Sequence, residues 1–147
     1  NNYNLHIYGN GSLVEILKKQ IESKPNIKLH PPFSPNNSTT LSSYLGLIFP
    51  SLWLEGSPLI VMEALANGTP IISSKSNGAV ETILDAEAGI ILEEFSTREL
   101  NLAIEDLITN FELYSTRALR YSNTNLDYQV WARKLSNMFD SVIKSVN

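Results

Sequence analysis

Cysteine is absent from the 147-residue sequence, which excludes disulfide bonds and cysteine-based metal or redox sites. The sequence has only two histidines, no Asp-x-Asp and no cluster of His, Asp and Glu at metal-ligand spacing. No apolar run approaches the length of a membrane span. The net charge of −4 gives no reason to expect a nucleic-acid partner. We therefore expect no metal, no cofactor, no nucleic acid and no membrane span in this segment.

Apolar residues make up 43% of the sequence, enough for the core of a single domain over residues 1–147. Short apolar segments alternate with helical patterns, which predicts an α/β, Rossmann-like three-layer fold with a mostly parallel sheet. In such folds ligands bind at the carboxyl ends of the strands. The predicted strands are Leu5–Tyr8, Asn26–His30, Leu45–Phe49, Pro70–Ser74 and Gly89–Leu92.

Two capping boxes predict helix starts, Ser12 with Glu15 and Ser96 with Glu99. Helical periodicity then predicts helices near residues 13–23, 80–84, 97–108, 111–121 and 128–145. The last of these helices carries its large apolar residues on one face, namely Trp131, Leu135, Met138, Phe139 and Val142. The remaining helix lies in the most informative stretch of the chain.

That stretch runs from Leu54 to Pro70 and holds two carboxylates, Glu55 and Glu63, with seven residues between them. Ser57 is a suitable N-cap and Pro58 suits the first helical position. Asn67-Gly68 supplies a C-terminal stop signal, so the predicted helix spans residues 58–67. Glu55 then lies in the loop at the start of this helix.

Glu63 is the one charged residue on a helix whose two faces are otherwise apolar, so we expect the helix to be buried on most sides. Helical side chains lean toward the N-terminus, which directs Glu63 toward the loop that contains Glu55. A helix N-terminus attracts anions through its free N–H groups and its dipole. Two carboxylates beside such a terminus suit a ligand with both hydroxyls and phosphates.

The motif resembles a known family. Glu55, seven residues, Glu63, then Ala64-Leu65-Ala66 and Gly68-Thr69-Pro70 is similar to the E-x7-E signature of retaining glycosyltransferases with the GT-B fold. The resemblance is to the C-terminal, donor-binding domain, and it extends over nearly the whole chain, including the glycine turns of HIYGNG and SNGAVE. The closing helix also resembles the family's last helix, which tends to reach across to the N-terminal domain.

The resemblance implies a role for each site residue. Glu63 would accept hydrogen bonds from the ribose hydroxyls of a nucleotide sugar, and Glu55, the catalytic residue, would contact the donor sugar near its anomeric carbon. Backbone N–H groups around Pro58, which fixes the turn, would face the diphosphate. These N–H groups belong to Gly56, Ser57 and Leu59. The loop that contacts the base in the family would contain Phe33 and Ser34.

The implied reaction transfers a sugar from a nucleotide diphosphate sugar to a saccharide or lipid-linked acceptor, with retention and without a metal ion. Bacterial polysaccharide or glycolipid biosynthesis is the expected setting. The expected location is the cytoplasm, with the inner face of the membrane as the alternative for the full-length protein.

The chain departs from the family pattern in three ways. First, Ser57-Pro58 replaces the Phe-Gly that usually follows the first Glu-Gly of the motif. Second, the family's first β-α element, with the Arg and Lys that bind phosphate, is missing. Third, the N-terminal acceptor domain is missing. No Lys or Arg occurs between Lys28 and Lys75. We therefore expect this segment to be part of a larger chain and to have little transferase activity by itself.

Ordinary structural explanations exist for the same residues. Glu63 as a solvated helix residue, Glu55 as a loop carboxylate near a helix dipole, and Phe33 as a packing residue all fit the sequence. Two other functions also remain. A non-catalytic nucleotide-sugar-binding or partner-docking module would share the fold, whereas a dinucleotide-binding oxidoreductase requires G-x-G-x-x-G, and here Val14 replaces the third glycine.

Overall fold

The computed structural model describes residues 3–33, 41–53 and 56–146, which form two compact units, residues 1–38 and 39–147. The smaller unit contains strand β1 (Leu5–Tyr8), helix α1 (Val14–Ile21) and strand β2 (Ile27–His30). The two strands pair in parallel, with Tyr8 opposite His30. The prediction of one domain over the whole chain stays a prediction.

Aromatic rings occupy one face of the β1–β2 ladder, because side chains two residues apart point to the same side of a strand. The ring of His30 stacks on Tyr8 with centroids 4.7 Å apart, and the His6 ring lies 4.9 Å from His30. Phe33 meets Tyr8 edge-on at 5.3 Å. The Nε2 atom of His30 is buried and has no hydrogen-bond partner among the described residues.

The larger unit has three parallel strands, in the order β3 (Leu47–Phe49), β4 (Ile71–Ser74), β5 (Gly89–Leu92). Its helices are α2 (Leu59–Ala66), α3 (Val80–Ala86), α4 (Thr97–Thr109), α5 (Phe111–Tyr121) and α6 (Tyr128–Val146), with a π-helical segment, Ser122–Leu126, before α6. The expected parallel strands are thus present in two sheets, and the predicted α/β fold class is confirmed.

The core of the larger unit surrounds β4, whose four residues are all buried. Ile72 packs with Leu92 of β5 and with Ala103 and Leu107 of α4. Helix α5 contacts both α2 and α3, and each of these three helices contributes fully or almost fully buried apolar residues, among them Val61, Leu65, Ile83 and Ala118. The full burial of β4 is the burial expected for the central strand of a parallel sheet that is covered by helices.

Of the two predicted capping boxes, the N-cap at Ser96 is present and the N-cap at Ser12 is not. Ser96 is the N-cap of α4, and its Oγ accepts a hydrogen bond from the Glu99 N–H at 3.2 Å. The predicted capping box at Ser12 is wrong, because the N-cap of α1 is Leu13 and no side chain caps this helix. The Glu15 carboxylate instead forms an exposed ion pair with Lys18.

Helix α6 has the predicted apolar face, but that face is exposed. Trp131 is 60% exposed and Phe139 is 55% exposed, and the other three residues of the face are similarly accessible. Over the described residues, no helix is both long and apolar enough to cross a membrane.

Gly89 allows a close approach between β5 and β4. A Cβ at this position would overlap the Ile71 carbonyl oxygen and lie 2.9 Å from its carbonyl carbon. We expect Gly89→Ala to lower the free energy of unfolding by about 3 kcal/mol or more, because the obstacle is backbone. Urea denaturation followed by circular dichroism measures the change. Gly56→Ala is the control, since its Cβ would meet nothing within 4 Å, and equal stability losses would contradict the explanation.

The aromatic face of the smaller unit should make stability depend on pH. Burial, then the nearby His30 and Lys28, lower the pKa of His6 from its ordinary value of 6.5. Because the unfolded state then binds more protons as the pH falls, this contribution is present above about pH 6.5 and is lost as the pH falls through the lower folded pKa. We expect the urea midpoint to drop between about pH 8 and about pH 5. A His6→Gln variant should show a smaller drop, and an identical drop would refute the assignment.

Candidate functional site

The candidate site lies where two neighbouring parallel strands end. The loop after β3 begins at Pro50 and leads to α2, and the loop after β4 begins at Lys75 and leads to α3. Since β3 and β4 pair in parallel, their carboxyl ends meet at the same edge of the sheet. This is the edge at which α/β folds bind ligands.

Helix α2 begins one residue later than its sequence predicts. Pro58 is the N-cap, with φ −68° and an extended ψ of 119°, and no side chain caps the helix. The prediction of Ser57 as the N-cap is therefore wrong, because the extended ψ of Pro58 moves the first helical residue to Leu59. The Val61 N–H bonds to the Pro58 carbonyl at 3.1 Å. Helix geometry leaves the N–H groups of Leu59 and Ile60 without intrahelical acceptors.

The two faces of α2 differ in exposure. Val61, Ala64 and Leu65 are buried, whereas Leu59 is 72% exposed and Ala66 is also exposed. The expected burial on most sides is therefore wrong for the face with Leu59 and Ala66. Helix α2 contacts mainly β3, α5 and the π-helical segment, and these elements leave that face open. The exposed start of the helix, with Gly56, Ser57 and Leu59, is accessible to a ligand.

Glu63 lies on α2, one turn after Leu59, and is only partly buried. Its backbone carbonyl accepts a hydrogen bond from Asn67 Nδ2 at 2.8 Å. Its carboxylate makes no hydrogen bond or ion pair with the described residues. Helical side chains lean toward the N-terminus, so the carboxylate belongs to the same surface as the open N–H groups. A partly buried and unpaired carboxylate beside open donors is suited to bind a polar ligand.

The end of α2 agrees with the sequence prediction. Gly68 adopts the left-handed conformation, with φ 67°, and its N–H bonds to the Leu65 carbonyl at 3.1 Å. A side chain here would also press on Ser115 and Leu119 of α5. The turn that ends the site helix therefore requires glycine for two separate reasons.

The other predicted site residues are distributed as follows. Glu55 and Ser34 lie outside the described residues. Phe33 belongs to the smaller unit, where it packs against Tyr8. Within the larger unit, Glu63 lies on the same helix as Leu59, one turn from its start.

A polar network beside the site was not predicted. Ser74 Oγ and Asn77 Nδ2 both donate to the Ser51 carbonyl oxygen, at 2.7 and 3.0 Å. The Ala79 N–H in turn donates to Asn77 Oδ1 at 2.9 Å. The signal in the sequence was the polar run from Ser73 to Asn77, which begins within the predicted strand Pro70–Ser74 and continues past its end.

Lys75, the first cation after Lys28, is exposed and lies at the same edge of the sheet. Its Nζ is 2.7 Å from a Glu93 carboxylate oxygen. The hydrogen bond and the charge of Glu93 raise the pKa of Lys75. No cluster of three or more possible metal ligands occurs in the described part of the chain.

Residues 1–120 match the family of glycosyl transferases group 1. The chain belongs to this family. The poly(glycerol-phosphate) alpha-glucosyltransferase of Bacillus subtilis is 29% identical over 92% of this chain and 21% of its own length. The O-antigen biosynthesis glycosyltransferase WbnH of Escherichia coli is 31% identical over 82% of this chain and 34% of its own length.

A solved crystal structure shares the fold of this chain. The crystal structure of Anabaena HepE in complex with UDP matches with a TM-score of 0.79 and 17% identity. The match covers 95% of this chain and 41% of HepE. At this identity the likeness concerns the fold alone. The chain spans about a third or less of the length of the curated relatives named above, 34% and 21%.

Replacing Ser57 tests where the site helix begins. Because Ser57 makes no capping hydrogen bond, we expect Ser57→Ala to change the free energy of unfolding by less than about 0.5 kcal/mol. The matched control is Ser96→Ala, which removes a true N-cap and should cost about 1 kcal/mol. Urea denaturation of both variants gives the comparison. A larger loss for Ser57→Ala than for Ser96→Ala would show that Ser57 caps α2 after all.

Proposed function

We propose that this chain is the donor-binding domain of a retaining glycosyltransferase that uses a nucleotide diphosphate sugar. The observation that carries the proposal is the partly buried Glu63 carboxylate, unpaired among the described residues, on the helix whose first N–H groups are open. A carboxylate accepts two hydrogen bonds from a vicinal diol, and a helix N-terminus binds phosphate. A nucleoside diphosphate offers both groups.

Each residue has a defined role in this proposal. Glu63 accepts hydrogen bonds from the ribose hydroxyls, and the N–H groups of Gly56, Ser57 and Leu59 face the diphosphate. Pro58, the buried N-cap, fixes the turn that presents these groups. Phe33 and Ser34 contribute to the base-binding loop. These roles follow the E-x7-E pattern, and the exposure of Gly56 and Ser57 supports them.

Glu55 is the proposed catalytic residue. By the same pattern it accepts hydrogen bonds from hydroxyls of the donor sugar and lies near the anomeric carbon, where the bond to the diphosphate breaks. Preorganised N–H dipoles stabilise the charge that develops on the leaving diphosphate, and we propose that no metal ion is needed. The acceptor attacks the face of the sugar from which the diphosphate departs, which retains the anomeric configuration.

The acceptor is a saccharide or a lipid-linked saccharide bound by a separate N-terminal domain. The relatives named above are a poly(glycerol-phosphate) alpha-glucosyltransferase and an O-antigen biosynthesis glycosyltransferase, and these names support a role in bacterial polysaccharide or glycolipid assembly. The UDP in the HepE crystal structure supports a nucleotide donor. The exposed apolar face of α6 suits packing against the N-terminal domain. We place the full-length protein in the cytoplasm or at the inner membrane face.

Replacing Glu63 tests the donor site directly. We expect Glu63→Gln to weaken binding of a nucleoside diphosphate about 10- to 100-fold, because the amide loses the charge-assisted hydrogen bonds to the ribose. Ligand-observed NMR against UDP, GDP, ADP, CMP and NAD identifies the base, and titration calorimetry measures the affinities. Glu105→Gln, an exposed Glu on α4, is the control and should bind like wild type.

The same panel separates the proposal from its rivals. NAD binding that is insensitive to Glu63→Gln would instead favour a dinucleotide-binding domain. A full-length protein that binds the nucleotide sugar but transfers no sugar to any acceptor would be a non-catalytic binding module. Nucleoside diphosphate binding that is unaffected by Glu63→Gln would show that Glu63 does not hold the donor.

A further inference from the structure

The Ser51 carbonyl oxygen joins the loop between β3 and α2 to the neighbouring strand. Among the described residues of this loop, 50–53 and 56–58, Ser51 is the one whose carbonyl accepts hydrogen bonds from side chains of β4 and of the turn after it. Ser74 Oγ lies 2.7 Å from this oxygen and Asn77 Nδ2 lies 3.0 Å from it. The carbonyl uses both of its acceptor positions, so this point of the loop is fixed from the neighbouring strand end.

The donors to Ser51 are themselves buried. Asn77 is 7% exposed and Ser74 is 4% exposed, and Ser73 beside them is fully buried. Asn77 Nδ2 also approaches Ser73 Oγ at 3.0 Å and Ser74 Oγ at 2.9 Å. Because a buried network with satisfied groups has few alternative arrangements, it holds its members in one geometry. The position of the Ser51 carbonyl is therefore set by tertiary structure.

An amide is the side chain that this position requires. Asn77 donates through Nδ2 to the Ser51 carbonyl and accepts through Oδ1 from the Ala79 N–H at 2.9 Å. Ala79 is the N-cap of α3, so one side chain joins the β3–α2 loop to the start of α3. A carboxylate would keep the acceptor and lose the donor, and it would place a buried negative charge against a carbonyl oxygen.

We propose that Asn77 and Ser74 are positioning residues for the nucleotide site. They hold the Ser51 carbonyl, which lies in the same loop as the exposed Gly56 and Ser57. Neither residue is assigned a contact with the donor. This inference rests on the proposed function, because it assumes that the start of α2 binds the diphosphate. Binding groups that are misplaced by about 1 Å lose much of their effect, which makes the anchor important.

The test compares two variants of the anchor with a matched control in the full-length protein. Asn77→Asp removes the amide donor, and Ser74→Ala removes the hydroxyl donor. Thr69→Val is the control. Thr69 is equally buried and its Oγ1 donates to the Leu41 carbonyl at 2.8 Å, but Thr69 lies before the amino end of β4, away from the candidate site. Thermal unfolding measures the stability of each protein, and calorimetry with UDP, GDP, ADP and CMP measures nucleotide affinity.

We expect Asn77→Asp and Ser74→Ala to weaken nucleotide binding about tenfold or more. Thr69→Val should lower Tm by a comparable amount while binding within about twofold of wild type. In steady-state kinetics the anchor variants should raise the donor KM and leave the acceptor KM unchanged. A purely structural role would instead reduce the amount of active protein and leave both KM values as they are.

Other outcomes overturn the inference. Wild-type affinity in both anchor variants would overturn it while the proposed function stands. An equal loss of affinity in Thr69→Val would assign the effect to stability and would also overturn it. If wild type binds none of UDP, GDP, ADP and CMP, the proposed function fails first and the inference falls with it. If Asn77→Asp does not fold, the milder Ser74→Ala decides the question.

Discussion

Pairing of strand β4 on both of its edges is the interaction on which the larger unit depends. The strand order places β4 between β3 and β5, and all four of its residues are buried. Its backbone groups are satisfied by two ladders and its side chains by helices, so loss of either neighbour would expose unpaired polar groups. The approach of β5 at Gly89 shows how little space this arrangement leaves.

The candidate site follows from the end of that same strand. Ser74 is the last residue of β4, and Asn77 lies three residues further on, at the turn before α3. Both reach the loop that leads to α2, whose first N–H groups are open. The end of a buried strand therefore holds the Ser51 carbonyl of that loop. Ligand-binding groups on loops depend on this kind of support.

Among the described residues, the charged and polar groups at this edge of the sheet include the Glu63 carboxylate, the N–H groups at the start of α2 and the Lys75–Glu93 ion pair. Glu63 makes no ion pair with the described residues, whereas Lys75 pairs with Glu93. A ligand with hydroxyls near Glu63 and phosphates near the start of α2 would satisfy both groups without requiring the lysine. Membership in the family of glycosyl transferases group 1 is the reason why we propose a nucleotide sugar as this ligand.

The sequence by itself determined the strands, the helices and the family, because apolar periodicity and turn residues act locally. Three elements have the bounds that the sequence predicts, namely strands Leu5–Tyr8 and Gly89–Leu92 and helix Phe111–Tyr121. Ser96 also caps its helix as predicted. Tertiary structure decided the start of α2, where the extended ψ of Pro58 displaced Ser57 from the cap. It also decided which face of α2 is exposed and that Asn77 reaches Ser51, 26 residues away. Such contacts depend on strand order and loop paths, which local patterns do not encode.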